Sequence, residues 1–136
     1  MELIDGSISV DDRGSISFVN GFDFRDVKRF YMVQNHSKGF IRAWHGHKQE
    51  GKYVFVTKGA IIMATVSMET EKITKYVLSA TKPQILYIPA GNYNGFRTLT
   101  DDTQIMFFST SSFKDSLDDD FRKPANTWQV FEVMSR

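Results

Sequence analysis

The amino-acid sequence predicts an all-β protein, a sandwich or a barrel, built as one domain over residues 1–136. Short apolar runs rich in β-branched and aromatic residues recur along the chain, and turn-forming residues separate them. The 12 phenylalanines and 5 tyrosines also favour strands. A chain of this length is typical of a single domain, since domains cluster near ~100–150 residues. The pattern contains no strands alternating with long helices, so it does not indicate βαβ units.

The predicted strands follow one another from end to end. They lie near residues 8–10, 15–19, 28–33, 39–45, 53–57, 60–65, 73–78, 85–88, 94–99, 103–109 and 128–133. Turn formers such as "DDRG", "SKG" and "AG" stand between them. The stretch "ISFVNGFDF" has the pattern of a hairpin around Asn20 and Gly21. Only "SSFKDSLDDDFRK" suits a helix, a short one with Ser112 or Asp115 as its N-cap.

Charge and residue usage limit the possible functions. The 17 basic and 16 acidic side chains nearly cancel, which gives no electrostatic surface for nucleic acid. The absence of cysteine excludes disulfides, thiolate zinc sites and a cysteine nucleophile. The first residues lack the features of a signal peptide, and no apolar run approaches the ~20 residues of a membrane helix. We therefore expect a cytoplasmic protein without a nucleic-acid or membrane partner.

Two histidines on one predicted strand are candidate functional residues. In "RAWHGHKQEGK", residues 42–52, His45 and His47 are two positions apart and point to the same face of an extended backbone. This spacing suits half of a metal site, and it equally suits two groups that move protons. His36, in the loop "QNHSKG", is interpreted as an ordinary side chain.

Two glycine-punctuated segments resemble the motifs of the jelly-roll cupins. The first motif, G-x5-H-x-H-x(3,4)-E-x6-G, matches from Gly39 to Gly59, with Lys52 in place of the glutamate. The second motif, P-x-G-x2-H, begins at Pro89 and has Asn94 in place of the histidine. The resemblance implies a jelly-roll β-sandwich. Because an ammonium and an amide replace two of the four metal ligands of the cupins, we expect no bound metal and no other cofactor.

A narrower resemblance covers about residues 11–122. The segments "RAWHGHKQEGKYVFVTKG" and "LSATKPQILYIPAGNYNGFRTLTDDTQIMFF" resemble the dTDP-4-dehydrorhamnose 3,5-epimerases. The segments "DDRGSISF" and "VKRFYMV" and the R-x-x-H-x-H-K core resemble the dTDP-sugar 3,4-ketoisomerases more closely. The resemblance implies an RmlC-like cupin that isomerises a nucleotide-linked 4-keto-6-deoxyhexose for deoxysugar and surface-polysaccharide synthesis. The expected nucleotide is dTDP, and both 3,4-ketoisomerisation and C3 or C5 epimerisation stay open.

The chemistry of such an enzyme gives roles to three residues. Proton removal next to a ketone requires a base of near-neutral pKa, a group that stabilises the enolate and a proton donor. The resemblance implies that His45 is linked to the proton transfer and that His47 shuttles a proton between C3 and C4. Lys52, on the next predicted strand, is the expected oxyanion partner. The alternative for Lys52 is a solvated lysine at the end of a strand.

Four further residues are candidate substrate ligands. The resemblance places Arg42 near the sugar and phosphate, although it points away from the histidines unless its strand bulges. A structural ion pair is the alternative. Arg13 resembles an arginine that holds the diphosphate, expected to act across a dimer interface, with an ordinary turn arginine as the alternative. Asn94 can bind a sugar oxygen but cannot carry a proton. Tyr93 is expected either to reach the pocket as an acid or to lie at its rim.

Other features leave alternatives open. The tyrosine acid, the late aspartate and the second-motif histidine of the 3,5-epimerases have no counterpart, which weakens 3,5-epimerisation more than ketoisomerisation. The alternative function is a non-catalytic cupin that binds a sugar or a nucleotide sugar. A homodimer is expected, because C2 pairs are the commonest closed assemblies. Trp44 is expected to pack on the outer face or to stack on a base or sugar, and the charged run 118–120 is expected to be a solvated loop.

Overall fold

Two five-stranded antiparallel sheets make up the sandwich in the computed structural model, which describes all 136 residues. The strands are β1 (Glu2–Asp5), β2 (Ser7–Asp11), β3 (Gly14–Phe18), β4 (Arg29–Asn35), β5 (Ile41–His47), β6 (Lys52–Lys58), β7 (Ala60–Ser67), β8 (Ile73–Ser79), β9 (Gln84–Ile88), β10 (Asn92–Thr98), β11 (Thr103–Ser109) and β12 (Phe121–Arg122). The first sheet has the order β1-β9-β6-β11-β4, and the second has the order β12-β5-β10-β7-β8. The predicted all-β jelly-roll sandwich is confirmed.

The main core lies between the two sheets. Its ten buried side chains come from the inward positions of β6, β7, β8, β9, β10 and β11. Strand β11 shows the origin of this pattern, because its residues alternate between buried and half-buried along its whole length. Each fully buried aliphatic or aromatic side chain of this kind contributes about 1.5–3 kcal/mol of transfer free energy. The alternation therefore fixes which side chains of each strand point into the space between the two sheets.

A second apolar cluster covers the outer face of the second sheet. Trp44 is fully buried there, stacked on Phe131 at 5.2 Å between ring centroids and edge-on to Trp128 at 5.3 Å. Trp44 therefore packs on the outer face, and it is not available to stack on a ligand. The carboxyl-terminal segment supplies this cover, which explains why β7 is buried on both faces.

The hairpin predicted around Asn20 and Gly21 is wrong. The hairpin turn instead lies between β2 and β3, which pair only with each other. After Phe18 the chain forms no strand until Arg29. Within that stretch Phe22 packs against Tyr53 at 5.0 Å and against Phe108 at 5.5 Å. These side chains pack against the outer face of the first sheet, so the segment does not pair back with β3.

The strand predicted at residues 128–133 is also wrong. These residues pair with no strand, although Arg97 Nη1 donates a hydrogen bond to the carbonyl of Phe131 at 2.9 Å. Their apolar character reflects side-chain packing on Trp44 rather than a sheet. Conversely, β1 was not indicated by the sequence pattern and pairs with β9 at the edge of the first sheet.

The predicted short helix is α1 (Phe113–Ser116), and it is four residues long. Ser112 is its N-cap, since the hydroxyl accepts a hydrogen bond from the backbone N–H of Asp115 at 3.1 Å. As the chain's only helix, α1 is too short to cross a membrane, and no candidate span is found.

Candidate active site

A cavity of about 310 Å³ opens between the two sheets, beside α1 and β12. Strands of both sheets and the segment from α1 to β12 line it. Five of the seven predicted site residues contribute to this lining: Arg42, His45, His47, Lys52 and Asn94. The structure brings these side chains together, including Arg42, which the strand period alone places on the opposite face from the histidines.

The two histidines and Asn94 lie on neighbouring strands of the second sheet. His45 and His47 alternate with Gly46 on β5, so both project inward. Asn94 on β10 is the register partner of His45, and its Nδ2 donates a hydrogen bond to the His45 carbonyl at 3.2 Å. Lys52 faces them as the first residue of β6 in the other sheet. The cavity wall therefore combines two imidazoles, an amide and an ammonium.

Arg42 reaches the same cavity because β5 bulges. On β10, Asn94 pairs with His45 and Phe96 pairs with Arg42, so one residue of β10 lies opposite two of β5. The extra residue turns Arg42 to the cavity side. Its Nε donates a hydrogen bond to Asn35 Oδ1 at 2.7 Å. An amide rather than a carboxylate is thus its side-chain partner, and the positive charge faces the cavity.

The other two predicted ligands lie elsewhere. Tyr93 points to the outer face of the second sheet and packs against Trp128 at 5.5 Å, so the prediction that it reaches the pocket or its rim is wrong. Its position between Asn92 and Asn94 on β10, both directed inward, is the reason. Arg13 lies at the tip of the β2–β3 hairpin, where it is exposed and pairs with Asp11 at 2.5 Å. Its role across a dimer interface stays a prediction.

Glu50 is a buried member of the site that the sequence pattern did not indicate. Its side chain is 0% exposed, and Oε1 accepts hydrogen bonds from Arg29 Nη2 at 3.1 Å and from the Ser109 hydroxyl. Its Oε2 lies 3.4 Å from His47 Nε2 and 3.9 Å from Lys52 Nζ. The motif spacing places the glutamate slot at Lys52, two positions later, so it does not indicate Glu50.

Asp119 holds the turn that carries Glu50. Its carboxylate accepts hydrogen bonds from the backbone N–H groups of Lys48, Gln49 and Glu50 at 2.7, 2.9 and 2.9 Å. Its carbonyl accepts one from His47 Nδ1 at 2.6 Å. The prediction of a solvated loop is wrong for Asp119, which is 5% exposed. It is correct for its two acidic neighbours in the run, which are exposed.

Burial and nearby cations keep both histidines uncharged. Burial lowers the pKa of His45, and the positive charges of Arg122 and Lys52 lower it further. Burial likewise lowers the pKa of His47, with Lys52 again contributing. A histidine with a lowered pKa is a neutral imidazole at pH 7, which is the form that accepts a proton.

Cationic side chains predominate around the cavity. Four basic side chains line it, against two acidic ones. The basic ones are Arg29, Arg42, Lys52 and Arg122, and the acidic ones are Glu50 and Asp120. Glu50 is paired with Arg29, and Asp120 is paired with Arg122 at 3.1 Å. The remaining positive charge of Arg42 and Lys52 suits an anionic ligand.

Tyr31 is a second cavity residue that the sequence pattern did not single out. It lies on β4 within the segment "VKRFYMV", with its ring 5.7 Å from Lys52 Nζ and stacked on Phe107. A phenol at this position can donate a proton into the cavity. No three histidine, aspartate or glutamate side chains lie together in an arrangement that holds a metal ion.

Comparisons with known proteins agree on one family. The model of the dTDP-4-dehydrorhamnose 3,5-epimerase family matches residues 3–129. No protein of curated function matches the chain.

Solved structures of sugar epimerases and of a 3,4-ketoisomerase have the same fold as this chain. The dTDP-4-dehydrorhamnose 3,5-epimerase from Bacillus anthracis, with TDP and pyrophosphate bound, is 23% identical, with a TM-score of 0.77 over 88% of this chain and 76% of that one. A 3'-monoepimerase from Streptomyces bikiniensis in complex with dTDP is 20% identical, with a TM-score of 0.72 over 84% and 65%. A sugar 3,4-ketoisomerase from Thermoanaerobacterium thermosaccharolyticum in complex with TDP is 16% identical, with a TM-score of 0.71 over 90% and 87%. At these identities the likeness is one of fold.

Proposed function

The chain belongs to the dTDP-4-dehydrorhamnose 3,5-epimerase family, and we propose that its own reaction is the 3,4-ketoisomerisation of a nucleotide-linked 4-keto-6-deoxyhexose. The expected class, an isomerase or epimerase of dTDP-sugars in deoxysugar biosynthesis, is confirmed by this membership. The observation that carries the choice of reaction is the cavity wall itself. Two neutral imidazoles, His45 and His47, lie beside the Lys52 ammonium, which suits a reaction that moves protons on both carbon and oxygen. C3 epimerisation by the same groups is the second candidate.

His45 begins the proposed reaction as the base. It removes the proton from C3 of the sugar, and the electron pair of that bond forms the C3–C4 double bond of an enediolate. Lys52 stabilises the negative charge that develops on the C4 oxygen. The ketone then reforms at C3 when the C3 hydroxyl loses its proton, the C4 oxygen gains one and a proton is added to C4. No other reactant is consumed.

The proton for C4 has two candidate donors. Protonated His45 can return the proton that it has taken, and the Tyr31 phenol can donate one from β4. Tyr31 thus supplies an acid in a chain that lacks the tyrosine of the 3,5-epimerases at its usual place.

Charge and hydrogen bonding support a nucleotide-sugar substrate. Arg42 and Lys52 provide positive charge at the cavity for a diphosphate, and Asn94 offers an amide to a sugar oxygen. We propose dTDP as the nucleotide because two of the similar structures hold TDP and a third holds dTDP. We propose the cytoplasm as the location, since nucleotide sugars are made there and a chain without cysteine fits a reducing compartment.

We also infer that the protein acts as a homodimer. The β2–β3 hairpin pairs with no other strand, and Val10 and Ile16 on it are 75% and 67% exposed. A two-stranded hairpin is marginally stable by itself, so an isolated apolar hairpin favours a partner that covers it. A second copy is the partner that also gives Arg13 a role, as a ligand in the neighbouring cavity.

Isotope exchange tests the proposed function. The protein is incubated with dTDP-4-keto-6-deoxyglucose in deuterated water, and NMR of the sugar locates the deuterium. We expect deuterium at C4 of the isomerised 3-keto product and at C3 of the recovered 4-keto substrate, with C5 still protonated. His45→Asn removes the exchange, because loss of a general base costs ~10²–10⁴-fold in rate. His36→Asn is the matched control, since His36 is exposed and outside the cavity.

Other results identify the alternatives. Deuterium at C3 alone, without a shift of the ketone, makes the protein a C3 epimerase. Deuterium at both C3 and C5 makes it a 3,5-epimerase. Tight binding of the nucleotide sugar without any exchange favours the non-catalytic cupin.

A further inference from the structure

Two buried polar atoms in the cavity wall face each other without a hydrogen-bond partner. They are His47 Nε2 and Glu50 Oε2, which lie 3.4 Å apart. Both atoms are shielded from bulk solvent, in side chains that are 10% and 0% exposed. Buried polar groups without a partner are rare in proteins and costly in free energy. A buried pair of this kind beside an active site is a candidate position for a proton.

The position of the histidine protons follows from Asp119. Its carbonyl oxygen can only accept, so the 2.6 Å contact with His47 Nδ1 requires a hydrogen on Nδ1. A neutral His47 therefore carries a bare lone pair on Nε2. That lone pair lies 3.4 Å from a carboxylate oxygen, so a proton added to Nε2 gains an opposite charge beside it.

The surroundings of Glu50 leave Oε2 free for this proton. Arg29 and Ser109 occupy the other oxygen, Oε1. Lys52 is the neighbour of Oε2 on the cavity side, with Nζ 3.9 Å away. In the cavity wall the pair therefore adjoins one exchangeable ammonium group.

Charged groups on every adjoining element act on the pair. Burial opposes a further positive charge on His47, and so does Lys52 on β6, while Arg29 on β4 is paired with Glu50. Glu50 itself and Asp119 favour it. The balance lowers the pKa of His47, so the proton site is empty at neutral pH. It remains able to take a proton when the reaction releases one.

We propose that Glu50 is a positioning residue whose Oε2 forms, with His47 Nε2, a buried acceptor site for a single proton. This proposal rests on the proposed function. It adds to that function the residues that move the protons of the two sugar oxygens. Lys52 first gives a proton to His47 Nε2 and then, as the neutral amine, takes the proton of the C3 hydroxyl. The reverse transfer then delivers a proton to the C4 oxygen. His45 handles carbon protons, and the number of protons is unchanged over the cycle.

NMR of the protein with ¹⁵N-labelled histidine tests the acceptor site without substrate. The chain has three histidines, so His47→Asn assigns the signals of His47. We expect Nε2 to be the nitrogen that titrates. We expect its midpoint to fall by about one pH unit or more in Glu50→Gln, because an opposite charge at this distance shifts a pKa by about 1–3 units. Ser109→Ala is the matched control, because the Ser109 hydroxyl contacts Oε1 of Glu50 and its loss leaves the carboxylate charge in place.

A second variant keeps the proposal testable if Glu50→Gln does not fold. Glu50→Asp keeps the charge but withdraws it from His47, and we expect a smaller fall in the same direction. An unchanged midpoint in both variants, or titration at Nδ1, overturns the proposal. Circular dichroism and thermal unfolding show whether each variant is folded.

Activity measurements separate this proposal from the proposed function. We expect Glu50→Gln to lower kcat for ketoisomerisation with little change in KM, while C3 exchange persists. A lowered His47 midpoint in a protein that exchanges no deuterium refutes the proposed function and leaves the proton site standing. If Glu50→Gln shows normal C3 exchange and ketone migration and an unshifted His47 midpoint, the proton site is refuted and the proposed function stands.

Discussion

At the scale of single residues, the site depends on a histidine that stays neutral. Burial, Arg122 and Lys52 all lower the pKa of His45, so the neutral base persists to lower pH than in an ordinary histidine. We expect the rate of C3 exchange to fall on the acid side with a midpoint below ~6.5, the reference value. The rate of deuterium incorporation, measured from about pH 4 to about pH 8, checks this expectation. A midpoint above the reference value contradicts it.

Lys52 gives a second prediction at this scale. Replacement by methionine keeps most of the side-chain volume and removes the ammonium. We expect Lys52→Met to slow C3 exchange by ~10²–10³-fold, the usual cost of losing one preorganised oxyanion partner. Lys58→Met is the matched control, because Lys58 lies at the exposed end of the same strand. Equal rates for the two variants contradict the role of Lys52 in stabilising the enolate.

The sequence predicts some of these residues and not others, for a physical reason. His45, His47, Lys52 and Asn94 lie on parts of strands where a period of two residues fixes the face of each side chain. Glu50 lies in a turn between strands, and its direction depends on three backbone hydrogen bonds to Asp119. A contact between positions so far apart in the chain leaves no local pattern.

At the scale of elements, the turn between β5 and β6 is held from a distant loop. Asp119 accepts three backbone hydrogen bonds, and an amide at this position can accept only on its oxygen. We expect Asp119→Asn to lower the free energy of unfolding by about 2 kcal/mol, since buried donors left without a partner cost ~1–3 kcal/mol. Urea denaturation checks this. Asp118→Asn is the control, because Asp118 is exposed, and an equal loss in both variants contradicts the role of Asp119.

The stabilisation by Asp119 depends on pH with a definite sign. Burial acts to raise the pKa of Asp119, but the three backbone donors outweigh it and leave the pKa lowered. A carboxyl group with a lowered pKa in the folded state stabilises the fold above its unfolded pKa. That contribution is lost as pH falls through the folded pKa. We therefore expect the stability difference between wild type and Asp119→Asn to shrink below pH ~3.9, the reference value of aspartate.

Strand content was predictable from local pattern, and pairing was not. The apolar runs identified ten of the twelve strands. The sequence "NG" after β3 has strong turn chemistry, yet the aromatic residues that follow it pack on the first sheet, so no hairpin forms there. Arg42 illustrates the same limit, because only the bulge against β10 turns it into the cavity. Register and bulges arise from contacts between strands, which a single strand does not encode.

At the scale of the whole molecule, the exposed apolar hairpin indicates how two chains would meet. Strands β2 and β3 lie outside both five-stranded sheets, and Gly14 in their turn has a φ of 141°. Arg13 at the tip is 84% exposed in its side chain and has only Asp11 as an ionic partner. In a single chain this element contributes nothing to the cavity. In a C2 pair it can cover a partner strand and bring Arg13 to the partner's substrate.

Light scattering and hairpin variants test this assembly. We expect the wild-type protein to have twice the mass of one chain at micromolar concentration. The double replacement of Val10 and Ile16 by aspartate should give a folded monomer, because both side chains are exposed within one chain. Val77→Asp is the matched control, since Val77 is 66% exposed on β8 of the second sheet, away from the hairpin.

The same experiment reaches the active site through Arg13. If the hairpin serves the neighbouring cavity, Arg13→Ala raises KM for the nucleotide sugar in a dimer of normal mass. The monomeric double variant then shows the same rise, and Arg13→Ala adds nothing further to it. Additive effects of the two changes would mean that Arg13 acts without the partner. A wild-type protein of single-chain mass would remove both the dimer and the role of Arg13 as a ligand across it.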